Sequence, residues 1–377
     1  MKKILTSTAL VGSLVLLSAG ISNAQTTVTG NLAMSYKATS TDQSTPAAKT
    51  GNNRTFGKES QINLTHTNKL SNGMGLVAGF SLEFDGSDAA PVNVSSATNA
   101  GNSIRGVTNE NTYIDIISGN TTITFGADHM QNPDYTVTNL VGVADPDDII
   151  SGIGGNTTTL YSAGKNSAYG AYQFGITQTT PIGKFSVAYA PDSTTGQANS
   201  DTQGYGTTNA VNNYDADESA YEIGFVGNLG VKDLTVGLFY NKEQNAGRKS
   251  FDGTRSADKE GKMLAARYNL GTVALAYERG ETTSTAAVEN KSNSFGVSFA
   301  ASKDITLGAN YTKTDTDRNA NTSTSGPANA DEKIKSVSVG YNIGPIVVGL
   351  SYGEVDGYNG VSGTDGKAVR IDTNVKF

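Results

Sequence analysis

The sequence predicts an all-β protein, a transmembrane antiparallel β-barrel of about sixteen strands, on three observations. Apolar and polar residues alternate at period two in sixteen separate stretches; the connections between stretches are short and long in turn; and aromatic residues sit at the ends of the apolar rows. Period two is the mark of a strand with one apolar and one wet face. Tight turns at one end and long loops at the other are how membrane barrels are built.

The chain opens with Met1-Lys2-Lys3, an apolar run from Ala9 to Leu17, and small residues ending at Ser22-Asn23-Ala24. That order predicts a secretory signal segment over 1–24 and a single barrel domain over 25–377. The apolar run is too short to cross a bilayer as a helix, and no later stretch is longer. The first strand follows at once, with Val28, Leu32, Met34 and Tyr36 on one face and Thr27, Thr29, Asn31, Ser35 and Lys37 on the other. The remaining apolar rows, in order, are Ile62-Leu64, Met74 to Phe84, Ile114-Ile116, Ile123-Phe125, Tyr172-Phe174-Ile176, Phe185-Val187-Tyr189, Tyr221-Ile223-Phe225 and Leu234 to Tyr240. Then come Leu264-Ala266-Tyr268, Val273-Leu275-Tyr277, Phe295-Val297-Phe299, Ile305 to Tyr311, Val337-Val339-Tyr341, Ile346 to Tyr352 and Val369 to Phe377.

Seven connections are short, among them Ser71-Asn72-Gly73, Ser118-Gly119-Asn120, Leu270-Gly271 and Gly344-Pro345, with the Gly and Asn that tight hairpins favour. The others run over about 40–58, 86–110, 129–167, 191–217, 242–260, 280–291, 314–332 and 353–366 and are rich in Asn, Thr, Ser, Gly and Asp. The aromatics divide by end. Tyr36, Phe84, Tyr189, Tyr240, Tyr277, Tyr311 and Tyr352 lie beside long loops, whereas Phe174, Phe225, Tyr268, Phe299, Tyr341 and Phe377 are assigned to the short-turn end. In one barrel they form two rings at the two water–lipid boundaries. A soluble sandwich also alternates, but it would carry Leu-rich or Trp-rich packing and a more charged polar face.

Composition narrows the function. Losing the signal segment takes two of the 28 basic residues and leaves 26 against 35 acidic ones, a net charge of −9, which argues against nucleic acid as a partner. There is no cysteine, so disulfides, thiolate metal sites and cysteine nucleophiles are excluded. The two histidines, His66 and His129, are paired with nothing in sequence, and an enzyme is not expected. Asp315-Thr316-Asp317 begins like a calcium loop, but position twelve is Gly326 and the central Gly is missing, so no metal or other cofactor is called for.

Sixteen strands enclose a lumen too wide for side chains to fill, so function lies in what narrows and charges it. Inward parity gives Lys37, Lys184, Arg267 and Arg370 against Glu59, Glu83, Glu222, Glu278 and Asp372. The expected constriction sets Asp145, Asp147 and Asp148 of the third long loop against Arg105, Lys37 and Arg370 on the wall, with mild cation preference. Three readings stay open: a passive channel for small hydrophilic solutes and ions, a substrate-preferring channel, and a surface adhesin or structural barrel.

The stretch Leu70-Ser71-Asn72-Gly73-Met74-Gly75-Leu76-Val77-Ala78-Gly79-Phe80-Ser81-Leu82-Glu83 resembles the first periplasmic turn and third strand of the Gram-negative general porins. Arg105 to Gly126 is similar to the next hairpin of that family, and the last strand, ending in Phe377, looks like its assembly signal. The resemblance implies a homotrimer of separate pores in the outer membrane, a third loop folded into each lumen, and contact with lipopolysaccharide and the barrel-assembly machinery. The family's Pro-Glu-Phe-Gly-Gly loop tip is absent; the third loop carries Asp134, Asp145-Pro146-Asp147-Asp148 and Gly152-Ile153-Gly154-Gly155 instead.

Overall fold

A computed structural model describes residues 24–43, 53–83, 86–87, 108–127, 172–190, 219–243, 258–284, 288–318, 331–357 and 364–377. They form β1 (Gln25–Gln43), β2 (Asn53–Lys69), β3 (Gly75–Glu83), β4 (Gly86–Ser87), β5 (Thr108–Ser118), β6 (Thr121–Ala127), β7 (Tyr172–Thr180), β8 (Gly183–Ala190) and β9 (Ala220–Gly227). The second half is β10 (Leu234–Glu243), β11 (Lys259–Leu270), β12 (Val273–Ser284), β13 (Val288–Ala300), β14 (Ile305–Arg318), β15 (Glu332–Ile343), β16 (Ile346–Asp356) and β17 (Thr364–Lys376).

Each strand pairs antiparallel with its neighbour in sequence, and β1 pairs with both β2 and β17, so the sheet closes on itself. The short β4 continues β3 against β2 in one register, Gln61 facing Glu83 and Lys58 facing Gly86. The seventeen segments are therefore sixteen staves, as the alternation predicted. Closure matters because an open edge in hydrocarbon would leave a row of backbone groups unpaired, at several kcal/mol each.

The wall is inside-out relative to a water-soluble protein. Leu350 is 51% exposed and its neighbour Ser351 1%. The same contrast repeats around the barrel, with Leu32, Val187, Leu275, Phe295 and Val337 exposed and Ser81, Glu222, Glu278, Ser294, Thr312 and Ser338 buried. Hydroxyls on the inner face bond to one another across strands, Ser292 with Thr314 at 2.5 Å and Ser294 with Thr312 at 2.8 Å.

Six of the seven short connections are turns, and the one between β13 and β14 is a bend over residues 302–304. In the two-residue hairpins after β5 and β15, Gly119 at φ 57° and Gly344 at φ 62° occupy the left-handed first position that glycine takes without steric cost. One irregularity breaks the meander. The β3–β5 register shifts between Gly79 and Ser81, where Asn111 sits at φ 50°. A Cβ on Gly79 would lie 2.9 Å from the Tyr113 ring, so the glycine makes room for that inward side chain.

The seam is held by the chain's last residue. Gly30 N–H donates to the Phe377 carbonyl at 2.9 Å and Phe377 N–H to the Gly30 carbonyl at 3.0 Å. The Phe377 ring lies over Gly30, where an added Cβ would meet it at 2.7 Å.

The aromatic rings need one correction. Phe174 was expected at the short-turn end, but it pairs with Tyr189 and Phe125 at the long-loop end. Strand β7 begins only two residues before it, so Phe174 marks the loop level and not the turn level. Cross-strand pairing then carries a continuous row from Phe125 through Phe174 and Tyr189 to Tyr221. The Phe125 and Phe174 ring centroids are 5.0 Å apart, and Tyr221 and Tyr240 extend the row at 5.9 Å.

Candidate functional site: the lumen wall

Strand pairing alone decides which side chains line the lumen, because each residue shares a face with its cross-strand partner. Lys37 on β1 faces Arg370 on β17 directly across the closing seam. Two of the residues expected at the constriction are thus neighbours on one side of the wall. The Arg370 guanidinium donates through Nε to Asp372 Oδ1 at 2.5 Å, and both side chains are largely buried. An ion pair held this way on one strand fixes the guanidinium along the wall.

Eight staves away lies the opposite wall, β9 and β10. Glu222 on β9 faces Asn241, and Glu243 ends β10 opposite Lys259, whose ammonium lies 3.6 Å from it. Glu222 and Glu243 are both buried. Basic residues at the β1/β17 seam and acidic ones at β9/β10 therefore occupy opposite sides of one ring of strands.

Other inward charges fall between these poles. Glu83 on β3, Asp115 on β5, Glu278 on β12 and Glu332 on β15 are all buried. Asp115 accepts a hydrogen bond from the Thr124 hydroxyl at 2.5 Å. Arg267 on β11 donates through Nε to Asn269 at 3.2 Å, diagonal to Glu278 in the register. Lys184 lies on the inward face of β8.

Sequence reasoning missed several lumen residues that its own rule could have found. Asp115 lies between the outward Ile114 and Ile116, and Glu243 continues the inward parity of Phe239 and Asn241. It also missed an apolar patch on the inner wall, where Phe239, Met263 and Ala265 pack together with Val226. Bulky apolar residues at inward positions run against the alternation that identified the strands, so periodicity gave no warning.

The remaining expected site residues divide by location. Arg105, Asp145, Asp147, Asp148 and the inward course of the third loop lie outside the described residues. The same holds for His129. His66 shares a hydrogen bond with the Thr26 hydroxyl at 3.0 Å, on the outward face at the turn-side end of β1 and β2. It is a rim residue and not a lumen one. Among the described residues, no cluster of three or more His, Cys, Asp or Glu is placed to hold a metal ion.

Comparison with solved structures finds the same barrel elsewhere. The anion-selective porin from Comamonas acidovorans matches with a TM-score of 0.63 at 13% identity, covering 94% of this chain and 100% of that one. The outer membrane protein OmpT of Vibrio cholerae, folded in vitro, matches with a TM-score of 0.58 at 13% identity over 94% and 98% of the two chains. Salmonella typhi OmpF in complex with daunomycin matches with a TM-score of 0.59 at 11% identity over 93% and 97%. At such identities the likeness is one of fold. No curated protein sequence matches the chain. The family model described as Gram-negative porin matches residues 6–245 and 161–373, which together take in nearly all sixteen staves. With a closed sixteen-stave barrel, an apolar outer face and a polar charged lumen, the chain belongs to the Gram-negative porin family, whose members are channels of the outer membrane.

Proposed function

We propose that the protein is a passive diffusion channel for small hydrophilic solutes and ions, mildly cation-preferring, with no catalytic activity. The observation that carries this reading is the transverse charge arrangement: Lys37 and Arg370 at the seam, Glu222 and Glu243 on the opposite wall. Fixed charges across a lumen orient water and polar solutes, and they act more strongly at a low-dielectric wall than in bulk water. Among the described residues, every buried charged side chain is a carboxylate (Glu83, Asp115, Glu222, Glu243, Glu278, Glu332 and Asp372), which favours cations weakly. The neighbour from Comamonas acidovorans is named anion-selective; it lends this chain its fold and not its selectivity.

The rest of the proposal draws its support from the resemblance to the family. Residues 1–24 direct export, the long loops face the outside, Phe377 presents the assembly signal, and three copies associate, each with its own pore. Asp145, Asp147 and Asp148 narrow the lumen from the third loop, facing Arg105 as well as Lys37 and Arg370.

Reversal potentials across a planar bilayer in a salt gradient test the reading. Wild type is expected to favour cations, and Glu222→Gln with Glu243→Gln to bring the permeability ratio toward unity, a change on the order of twofold for losing two wall charges. An anion-selective wild-type pore overturns the cation preference. A second reading, a channel preferring solutes with an apolar face, rests on the Phe239, Met263 and Ala265 patch. Swelling of liposomes with sugars separates the two: uptake graded by size alone supports the non-specific channel.

A further inference from the structure

The inward charges are sorted along the pore axis. Within four residues of the turn-side end of its strand, the wall carries Lys69 on β2, Lys184 on β8, Arg267 on β11 and Lys376 on β17, against one acid, Asp115 on β5. Further toward the loops the signs reverse. There, among the described residues, Glu83, Glu222, Glu243, Glu278, Glu332 and Asp372 stand against Lys37, Lys259 and Arg370. These inward acids and bases cancel over the wall as a whole and do not cancel along it.

The turn-side excess survives a full count. The short connections add only Lys232 with Asp233 at 3.9 Å and Lys303 with Asp304 at 2.8 Å, which cancel. Four bases less Asp115 and the terminal carboxylate of Phe377 leave two positive charges at this mouth. With 1–24 removed the chain has 26 bases and 35 acids; the turn-side part holds six and three of them, and the upper strands and long connections the remaining 20 and 32. The four bases are also available to solutes. Lys69 and Lys376 are exposed, Lys184 and Arg267 half-buried, and Arg267 donates through Nε to the neutral Asn269 at 3.2 Å. Among the described residues no carboxylate is bridged to any of the four, whereas Arg370 is held by Asp372 and Lys259 by Glu243.

We infer that Lys69, Lys184, Arg267 and Lys376 are specificity-determining residues of the channel: they make an anion-attracting mouth in series with the acidic upper lumen, so that the pore conducts better in one direction than in the other. The inference rests on the reading of the protein as an open channel. Strands β2, β8, β11 and β17 are spread around the ring, so the four cations act on the whole mouth and not on one side of it. Four residues of a tilted strand rise about 9 Å, close to the screening length of about 10 Å in 0.1 M salt. Each zone therefore keeps its own counter-ions at that salt. When the loop side is positive, cations enter through the acidic zone and anions through the basic one, and both accumulate where the zones meet. The opposite polarity draws both ions away from that junction and depletes it.

The test is current against voltage for the purified full barrel in a planar bilayer, with the same potassium chloride solution on both sides. Biotin on Pro181→Cys, in a chain with no other cysteine, and streptavidin in one chamber mark which side the turns face. Wild type should pass about 1.5 times more current with the loop side positive in 0.1 M salt, and equal currents in 1 M salt, where screening shortens to about 3 Å. Replacing Lys69, Lys184, Arg267 and Lys376 together by Gln should bring the ratio to about one and raise the cation preference in reversal potentials about twofold. Lys69→Gln with Lys376→Gln, confined to the two exposed positions, should remove about half of the asymmetry. Glu222→Gln with Glu243→Gln should also reduce the asymmetry but move the reversal potential the other way, and that opposition is what two zones of unlike sign require. Heat-modifiable migration confirms that each variant is folded. Equal currents in wild type at 0.1 M salt, asymmetry of the opposite sense, asymmetry untouched in both lysine variants, or reversal potentials that move the same way in the basic and acidic variants overturn the inference. A wild type that conducts symmetrically removes this inference and leaves the channel standing, whereas a wild type that does not conduct removes both.

Discussion

The wall has a low arc and a tall one, and they meet the bilayer differently. Strands β6 to β9 are 7, 9, 8 and 8 residues long, whereas β11 to β17 run from 11 to 14. A tilted strand needs about 9–11 residues to cross the hydrocarbon. The described residues of the low arc barely span it, and their outward side chains stop at the aromatic row of Phe125, Phe174 and Tyr189. The tall arc continues past its outer aromatics into paired charges: Arg279 with Glu281, Lys313 with Asp315 and Asp331, Lys335 with Asp356, Lys367 with Glu354. Among the described residues, one arc ends at its aromatic row, whereas the other adds a charged collar that can meet polar head groups.

The comparison is tested hardest by placing a charge on the apolar face of each arc. Val187→Arg on β8 and Leu350→Arg on β16 both expose a guanidinium to lipid, at a cost of about 2–4 kcal/mol near the midplane. On β8 Tyr189 is the last described outward residue beyond the new charge, and among the described residues no outward acid follows it. On β16 Glu354 lies further up the same face. Refolding midpoints in urea, measured in phospholipid vesicles, should therefore fall further for Val187→Arg. Equal losses would mean that the collar gives the tall arc no advantage.

A smaller loss is expected where the two ends of the chain join. Gly30→Ala places a Cβ 2.5 Å from the Gln61 carbonyl oxygen and 2.7 Å from the Phe377 ring. Overpacking of this kind costs about 1–3 kcal/mol. Adding Phe377→Ala should recover only the part due to the ring, since the Gln61 backbone cannot withdraw. Thermal loss of the heat-modifiable form gives the ranking: wild type, then the double variant, then Gly30→Ala. A double variant no better than the single one would remove Phe377 from the strain.

Most of this architecture was legible because a lipid-facing strand must be apolar at every second position, with little tolerance for exceptions. The sixteen strands and the seven short connections between them reappear, and the register sets Lys37, Arg370, Glu222 and Glu278 on the inward face that parity gave them. Parity is silent about two other quantities. It does not give the depth of a residue, which is why Phe174 was placed at the wrong end of β7. Nor does it give position around the ring, so the sequence set Lys37 and Arg370 against loop acids without showing that Glu222 and Glu243 stand eight strands away.

The smallest effect should come from the collar itself. Asp331, just ahead of β15, accepts from the Lys313 ammonium at 2.9 Å, and that contact holds its carboxyl below the usual carboxylate range. A carboxyl lowered in the folded state adds stability above its unfolded pKa, and the contribution is lost as pH falls through the lowered value. The pair is nearly half exposed, so solvent screening limits it to about 0.5 kcal/mol. Amide protection at the loop ends of β14 and β15, taken relative to the intrinsic exchange rate at each pH, should fall slightly on acidification through the carboxylate range, with no matching change at β7 and β8. Asp331→Asn should show the faster exchange already at neutral pH and respond less to acid. If both arcs loosen together on acidification, the response belongs to the barrel as a whole and the collar is not a separate element of its stability.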